Sequence, residues 1–296
     1  VFDCNVEGLV VAVTDMAAQT ADGFGTAWRR HWGLTADPFD ANRAIYVALP
    51  SHEEAAARLL YAIESAEPRS SLIADGGMGK TTVLRQVIKR AAAPNVRIVA
   101  VESPPDEVLL LARLAEQLGQ RRSSRQVPDR GEAWRLLDRA VRLHQVVGCH
   151  VVLAIDECHR LGYARRGGVL QSLHIMGEGK AARLTVLMIG RPHSAHPKDT
   201  LADWPPAAGI EALTRSEVER YIHAKLAGSG CSGHVFTTRA LTRLHALSQG
   251  VPRVLEQLAT LSLMAGALRR AEVVTPELVE GATRVIDPRP TESVFQ

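Results

Sequence analysis

The hydrophobic pattern changes character along the chain. Between residues 71 and 190, short apolar runs alternate with longer stretches of helical period, and beyond Ile210 only the helical period remains. The runs are "SLIA", "RIVAVE" (97–102), "HVVLAID" (150–156) and "LTVLMIG" (184–190). Each is short with an apolar centre, and the first is followed at once by glycines, as in parallel strands buried on both faces. The stretches between them, such as "DEVLLLARLAEQLG" and "EAWRLLDRAVRLHQV", have the spacing of amphipathic helices. Strand alternating with helix predicts an α/β fold, a parallel sheet covered by helices in three layers, αβα.

Upstream of the first run, Ala56, Leu59, Leu60 and Ile63 repeat at helical spacing. Ser51 and Glu54 have the spacing of a capping box ahead of them. Downstream, "SEVERYIHAKL", "TTRALTRLHALS", "PRVLEQLATLSLMAGAL" and "PELVEGATRVI" predict four helices, with Thr214 and Glu217 as a second capping box and Thr275-Pro276 as a cap followed by proline. The expected organisation is an N-terminal extension over 1–27 without sustained period, an α/β domain over 28–209 and a small all-helical domain over 210–296. The chain opens on Val1, which implies an alternative start codon or a fragment, with Met16 as a later possible start. The arginine-serine segment 121–130 reads as an exposed connection.

Composition narrows the class. Of 296 residues, 46% are hydrophobic and 23% charged, which excludes a disordered chain and predicts a packed core. The net charge is +3, and only five of the 35 basic residues are lysines. Arginine suits phosphate contacts, but a GC-rich genome gives the same bias, and the charge is scattered. Four widely spaced cysteines fit a reduced, intracellular protein. Neither Cys149-His150 nor Cys158-His159 has zinc-ribbon spacing. No apolar stretch reaches the roughly 18 residues of a membrane helix, and no basic leader opens the chain, so a cytoplasmic location is expected.

The candidate chemistry lies in "SLIADGGMGKTTVLRQV", residues 71–87. A phosphate loop needs glycines so that backbone N–H groups converge on the anion, a lysine for the β and γ oxygens, and a hydroxyl for Mg²⁺. Gly76, Gly77 and Gly79 supply the first, Lys80 the second and Thr81 the third, with Met78 and Thr82 completing the loop. Ala74 stands where the pattern has its first glycine, a change that matters only if that position needs φ > 0. The second half is "VVLAIDEC", which sets Asp156 and Glu157 at the end of a buried strand. Asp156 is the expected Mg²⁺ ligand and Glu157 the residue that orients and activates the attacking water.

Taken in order, "WGLTADPFD", "YVALPSHEEAAARLLYAIE", the phosphate loop, "LAIDECHRL", "MIGRP" and "SQGVPRVLEQLA" resemble AAA+ ATPases of the ExeA/GspA type. Transposition helper ATPases of the TniB kind are similar over the nucleotide-binding parts. The resemblance spans about residues 28 to 285. It implies a five-stranded AAA+ core, a helical lid, ATP with Mg²⁺, and a nucleotide-dependent homo-oligomer. It gives Arg253, in "GVPR", the place of the lid arginine that senses the γ-phosphate. Arg191 stands where the family usually has glutamine after the fourth strand. Two readings of it are open, stabilisation of the transition state or a side chain pointing to solvent. His159 replaces a common glutamine, either as a relay of γ-phosphate state or as a cap on the strand end. His174 and Met176 read as packing residues.

The segment between Arg191 and Arg215 lacks the arginine that the family places there to reach a neighbour's ATP. Hydrolysis is therefore expected to be slow, or completed by Arg191, Arg165 or Arg166 across an interface. The first functional reading is an ATPase switch that remodels or regulates a protein client. Against a secretion role stands the absence of the membrane span and cell-wall-binding portion that secretion relatives carry. The alternatives are an ATPase that assists a transposase on double-stranded DNA, contacting phosphate through 121–130 or Arg165-Arg166, and a degenerate paralogue that binds ATP without hydrolysing it.

Overall fold

A computed structural model describes residues 24–40, 45–120, 128–161, 183–192 and 209–286, with isolated helical positions at 169, 172, 173 and 176. The chain divides into two compact units, residues 48–211 and a second unit that joins 1–47 to 212–296.

In the first unit, β1 (Arg69–Ile73), β2 (Val96–Glu102), β3 (His150–Asp156) and β4 (Leu184–Gly190) form a parallel sheet in the order β1-β4-β3-β2. All four lie where the short apolar runs predict them. β3 and β4 are buried at every position, which explains why their sequences are apolar without alternation. β2 alternates, as suits the strand at the end of the described order. Flanking the sheet are α2 (Pro50–Glu64), α3 (Lys80–Arg90), α4 (Glu107–Gln117) and α5 (Arg130–Val146), α1 (Phe24–His31) belonging to the second unit. α4 and α5 pack on each other and on β2 and β3, whereas α2 packs on α3 and β1. Leu110, Leu114, Leu137, Leu153 and Val186 lie in the core between sheet and helices, all fully buried. Four strands are found among the described residues, against the five that the resemblance implies.

Helix starts follow local chemistry. Asp106 caps α4 by accepting from the Leu109 N–H at 3.0 Å, and Asp129 caps α5 by accepting from Glu132 at 2.7 Å. The Ser51 capping box does not form. α2 begins at Pro50 with Leu49 as its N-cap and no side-chain cap bond. Proline's fixed φ and missing N–H suit the first helical position, so the helix starts before Ser51 and takes it into the first turn. Glu54 instead pairs with Arg58 one turn on.

In the second unit, α1 (Phe24–His31) packs on α8 (Pro252–Leu268), alongside α6 (Arg215–Gly228), α7 (Thr238–Ser248) and α9 (Pro276–Ile286). The Thr214 capping box is complete, with Glu217 N–H donating to Thr214 and Glu217 accepting from the Thr214 N–H. The "WGLT" segment is held by Trp32, whose Nε1 donates to the Leu263 carbonyl at 2.8 Å, and by Thr35, bonded to Ser229. A Cβ on Gly266 would come within 2.7 Å of the Trp32 ring, so glycine there lets the ring lie on α8. In "SQGVPR", Gln249 and Gly250 both take left-handed backbone, and Pro252 opens α8. Gly250 approaches the Leu213 backbone so closely that a Cβ would collide with its carbonyl oxygen. A parallel bridge between Phe236 and Val274 is found here, where only helices are expected from sequence.

Candidate functional site

The loop between β1 and α3 begins as an extension of the sheet. The Ala74 N–H donates to the Gly190 carbonyl at 3.2 Å, and Ala74 is not among the residues with positive φ. Its methyl therefore imposes no backbone strain, and the departure from the glycine pattern is conformationally silent. Gly77 (φ 84°) and Gly79 (φ 89°) do need left-handed backbone. A Cβ on Gly76 would lie 2.9 Å from the Arg191 guanidinium carbon, so Arg191 rests against the loop.

Gly79 is the N-cap of α3 and provides no capping side chain, and the first turn of α3 holds no acid. A helix start of this kind presents N–H groups and the positive end of the helix dipole to an anion. Lys80 is 5% exposed, and its Nζ donates to the carbonyls of Ala74 at 2.8 Å and Asp75 at 2.9 Å. Burial pulls its ammonium below the ordinary lysine range; Glu157 and Asp156 oppose that shift and Arg191 adds to it. Met78 is buried, Thr82 half-buried and Thr81 exposed.

The loop meets the end of β3 through one short bond. Thr81 Oγ1 donates to Asp156 Oδ2 at 2.7 Å, while Asp156 Oδ1 accepts from the Glu157 N–H at 2.8 Å. The hydroxyl and the buried carboxylate are hard oxygen donors side by side, a set that fits Mg²⁺. Glu157 turns the chain with a left-handed φ of 51°, and its Oε2 lies 3.3 Å from His159 Nε2. Cys158 faces the other way, fully buried in the core against Gly190.

The structure thus brings together Gly76, Gly77, Met78, Gly79, Lys80, Thr81, Thr82, Asp156, Glu157 and Arg191. Arg253 is an exposed residue in the first turn of α8, in the other unit. Arg165, Arg166, His174 and residues 121–127 lie outside the described residues. Arg130, at the end of that segment, pairs with Glu107 at 2.9 Å. Met176 packs against the core. Sequence reasoning missed His52, which is 3% exposed and has its Nε2 3.0 Å from the Met78 carbonyl. Its signal was available: His52, Ala55, Ala56 and Leu59 share one helical stripe, and a histidine among buried apolar positions needs a partner.

Comparison with known proteins agrees with this geometry. Residues 43–197 match the profile described as "AAA domain". The chain is 26% identical over 259 residues to General secretion pathway protein A of Aeromonas hydrophila, covering 82% of this chain and 45% of that protein. It therefore spans less than half of that relative's length. Among solved structures, the Aeropyrum pernix ORC1 protein in complex with DNA has a TM-score of 0.66 at 18% identity, covering 84% of this chain and 69% of that one. The Aeropyrum pernix ORC2 protein in its ADPNP-ADP complexes has 0.64 at 16% identity, covering 88% and 74%. With the profile spanning more than half of the sequence and the P-loop sheet in place, the chain belongs to the AAA domain family and has the AAA+ fold.

Proposed function

We propose that this chain is an ATP-hydrolysing switch that couples nucleotide state to a macromolecular partner. The observation that carries the reading is the 2.7 Å bond from Thr81 to Asp156, which joins phosphate loop and acidic strand end in one site. In it, the N–H groups of the loop and α3 bind phosphate, and Lys80 leaves its loop carbonyls for phosphate oxygens. Thr81 and Asp156 would hold magnesium, which when bound neutralises phosphate charge. Glu157 orients a water and takes its proton. Arg191, already against Gly76, places a cation beside the γ-phosphate position, and Arg253 serves as the lid arginine. The expected oligomer is a homo-oligomer, and neighbouring copies would supply any further arginine.

Two kinds of partner are proposed. The likeness to General secretion pathway protein A favours a protein client. The fold shared with a DNA-bound ORC1 protein supports a second reading, an ATPase that works on double-stranded DNA. Among the described residues no helix is long and apolar enough to cross a membrane.

The test is ATP turnover of the chain and of Glu157→Gln, with and without double-stranded DNA across salt concentrations. Loss of about a hundredfold or more in the variant, with ATP binding kept, is expected for a general base. Stimulation by DNA that fades with salt supports the DNA reading. Equal turnover in both proteins would remove Glu157 from the chemistry, and binding without turnover in wild type would leave a nucleotide-gated binder.

A further inference from the structure

His52 stands on α2, outside the loop and outside the acidic strand end, yet it is nearly fully buried against the phosphate loop. Its Nε2 lies 3.0 Å from the Met78 carbonyl oxygen, and a Cβ added to Gly79 would come within 2.6 Å of the same nitrogen. Ser51 Oγ lies 3.5 Å from Nδ1, on the far side of the ring. Facing the carbonyl, Nε2 acts as the donor.

We infer that His52 is a positioning residue for nucleotide binding, holding the Met78–Gly79 peptide of the phosphate loop by a hydrogen bond to the Met78 carbonyl. This rests on the nucleotide reading proposed above and extends it to a residue outside the motif. The argument is one of peptide geometry. A trans peptide is planar, and its C=O and N–H point in opposite directions. A loop that binds anions must turn N–H groups toward the phosphates and keep carbonyl oxygens away, because a carbonyl facing a phosphate is repelled. Fixing the Met78 carbonyl on the α2 side commits the Gly79 N–H to the opposite side. Gly79 has φ 89° and no side chain, so its flanking peptides are among the freest in the loop to flip. The bond removes that freedom before the nucleotide arrives, and preorganisation of this kind lowers the cost of binding. The ring also occupies the space that a Cβ at Gly79 would need. Glycine there thus satisfies two demands, the left-handed turn and the histidine's approach.

The test measures fluorescent ADP binding to wild type, Lys80→Ala, His52→Leu, His52→Asn and His52→Gln, with a thermal melt for each. Glutamine can place a donor near the position of Nε2, whereas asparagine is one methylene short. The expected result is about five- to tenfold weaker binding in H52L and H52N, the worth of one hydrogen bond, with most of the affinity regained in H52Q. If H52L fails to fold, H52N against H52Q decides. Wild-type affinity in H52L or H52N would overturn the inference, as would equal weakening in H52N and H52Q with unchanged melts. If wild type and K80A bind equally poorly, the nucleotide reading itself fails, an outcome distinct from the others.

Discussion

Glu157 illustrates how one residue trades stability for placement. A glutamate with φ 51° sits in a region that costs a side chain with a Cβ about 1 kcal/mol or more. Here the turn is held by the Asp156 carboxylate accepting from the Glu157 N–H. Asparagine tolerates left-handed backbone better than glutamate. Glu157→Asn is therefore expected to melt no lower than wild type while losing turnover, and a melt several degrees lower would show that the turn is not strained. Gly190 makes the opposite demand, since it needs to be small rather than left-handed. A methyl there would come within 2.6 Å of the buried Cys158 sulfur. Gly190→Ala should cost about 1–3 kcal/mol by overpacking. In a denaturation cycle with Cys158→Ala the two changes should be non-additive, because the double variant removes the atom that clashes.

The elements differ in how plainly the sequence announces them. β3 and β4 are plainly bounded because burial on both faces keeps their centres apolar, with Thr185 the one polar residue between their ends. α2 was harder at its start, where Ser51 imitates a cap but Pro50 decides; the stripe shows that His52 is buried, but not that its partner is a loop 26 residues away. The phosphate loop and the acidic pair were legible because their chemistry is local. Arg191 was legible only as an open alternative, since its contact with Gly76 spans β1 and β4. β3 also carries a titration effect at its first residue. His150 is buried, with Nε2 2.9 Å from Thr185 Oγ1, which itself donates to the Glu67 carbonyl. Burial first, and the charge of Arg183 second, lower its pKa below the ordinary 6.5. The unfolded chain then binds a proton before the folded one does, so this contribution to stability is present above about pH 6.5 and is lost as pH drops from there toward the folded value. Urea denaturation between pH 5 and 7.5 should show a steeper acid loss for wild type than for His150→Gln, and parallel profiles would remove His150 as the cause.

At the scale of the whole chain, the order β1-β4-β3-β2 has a consequence for synthesis. The loop follows β1 and the acidic pair ends β3, but these strands are not neighbours; β4 lies between them and is the last made of the described strands. Arg69 pairs with Val186, so β1 waits for more than a hundred residues before its described partner exists. Closing so long a separation is slow relative to local pairing. On the nucleotide reading, chains stalled on the ribosome should take up fluorescent ADP only once residues through 190 have emerged, and earlier uptake would mean that β1 first pairs elsewhere. A strand inserted last between the two halves of a site acts as an assembly checkpoint. The newborn protein would stay blind to the cell's ATP until β4 has joined its two halves.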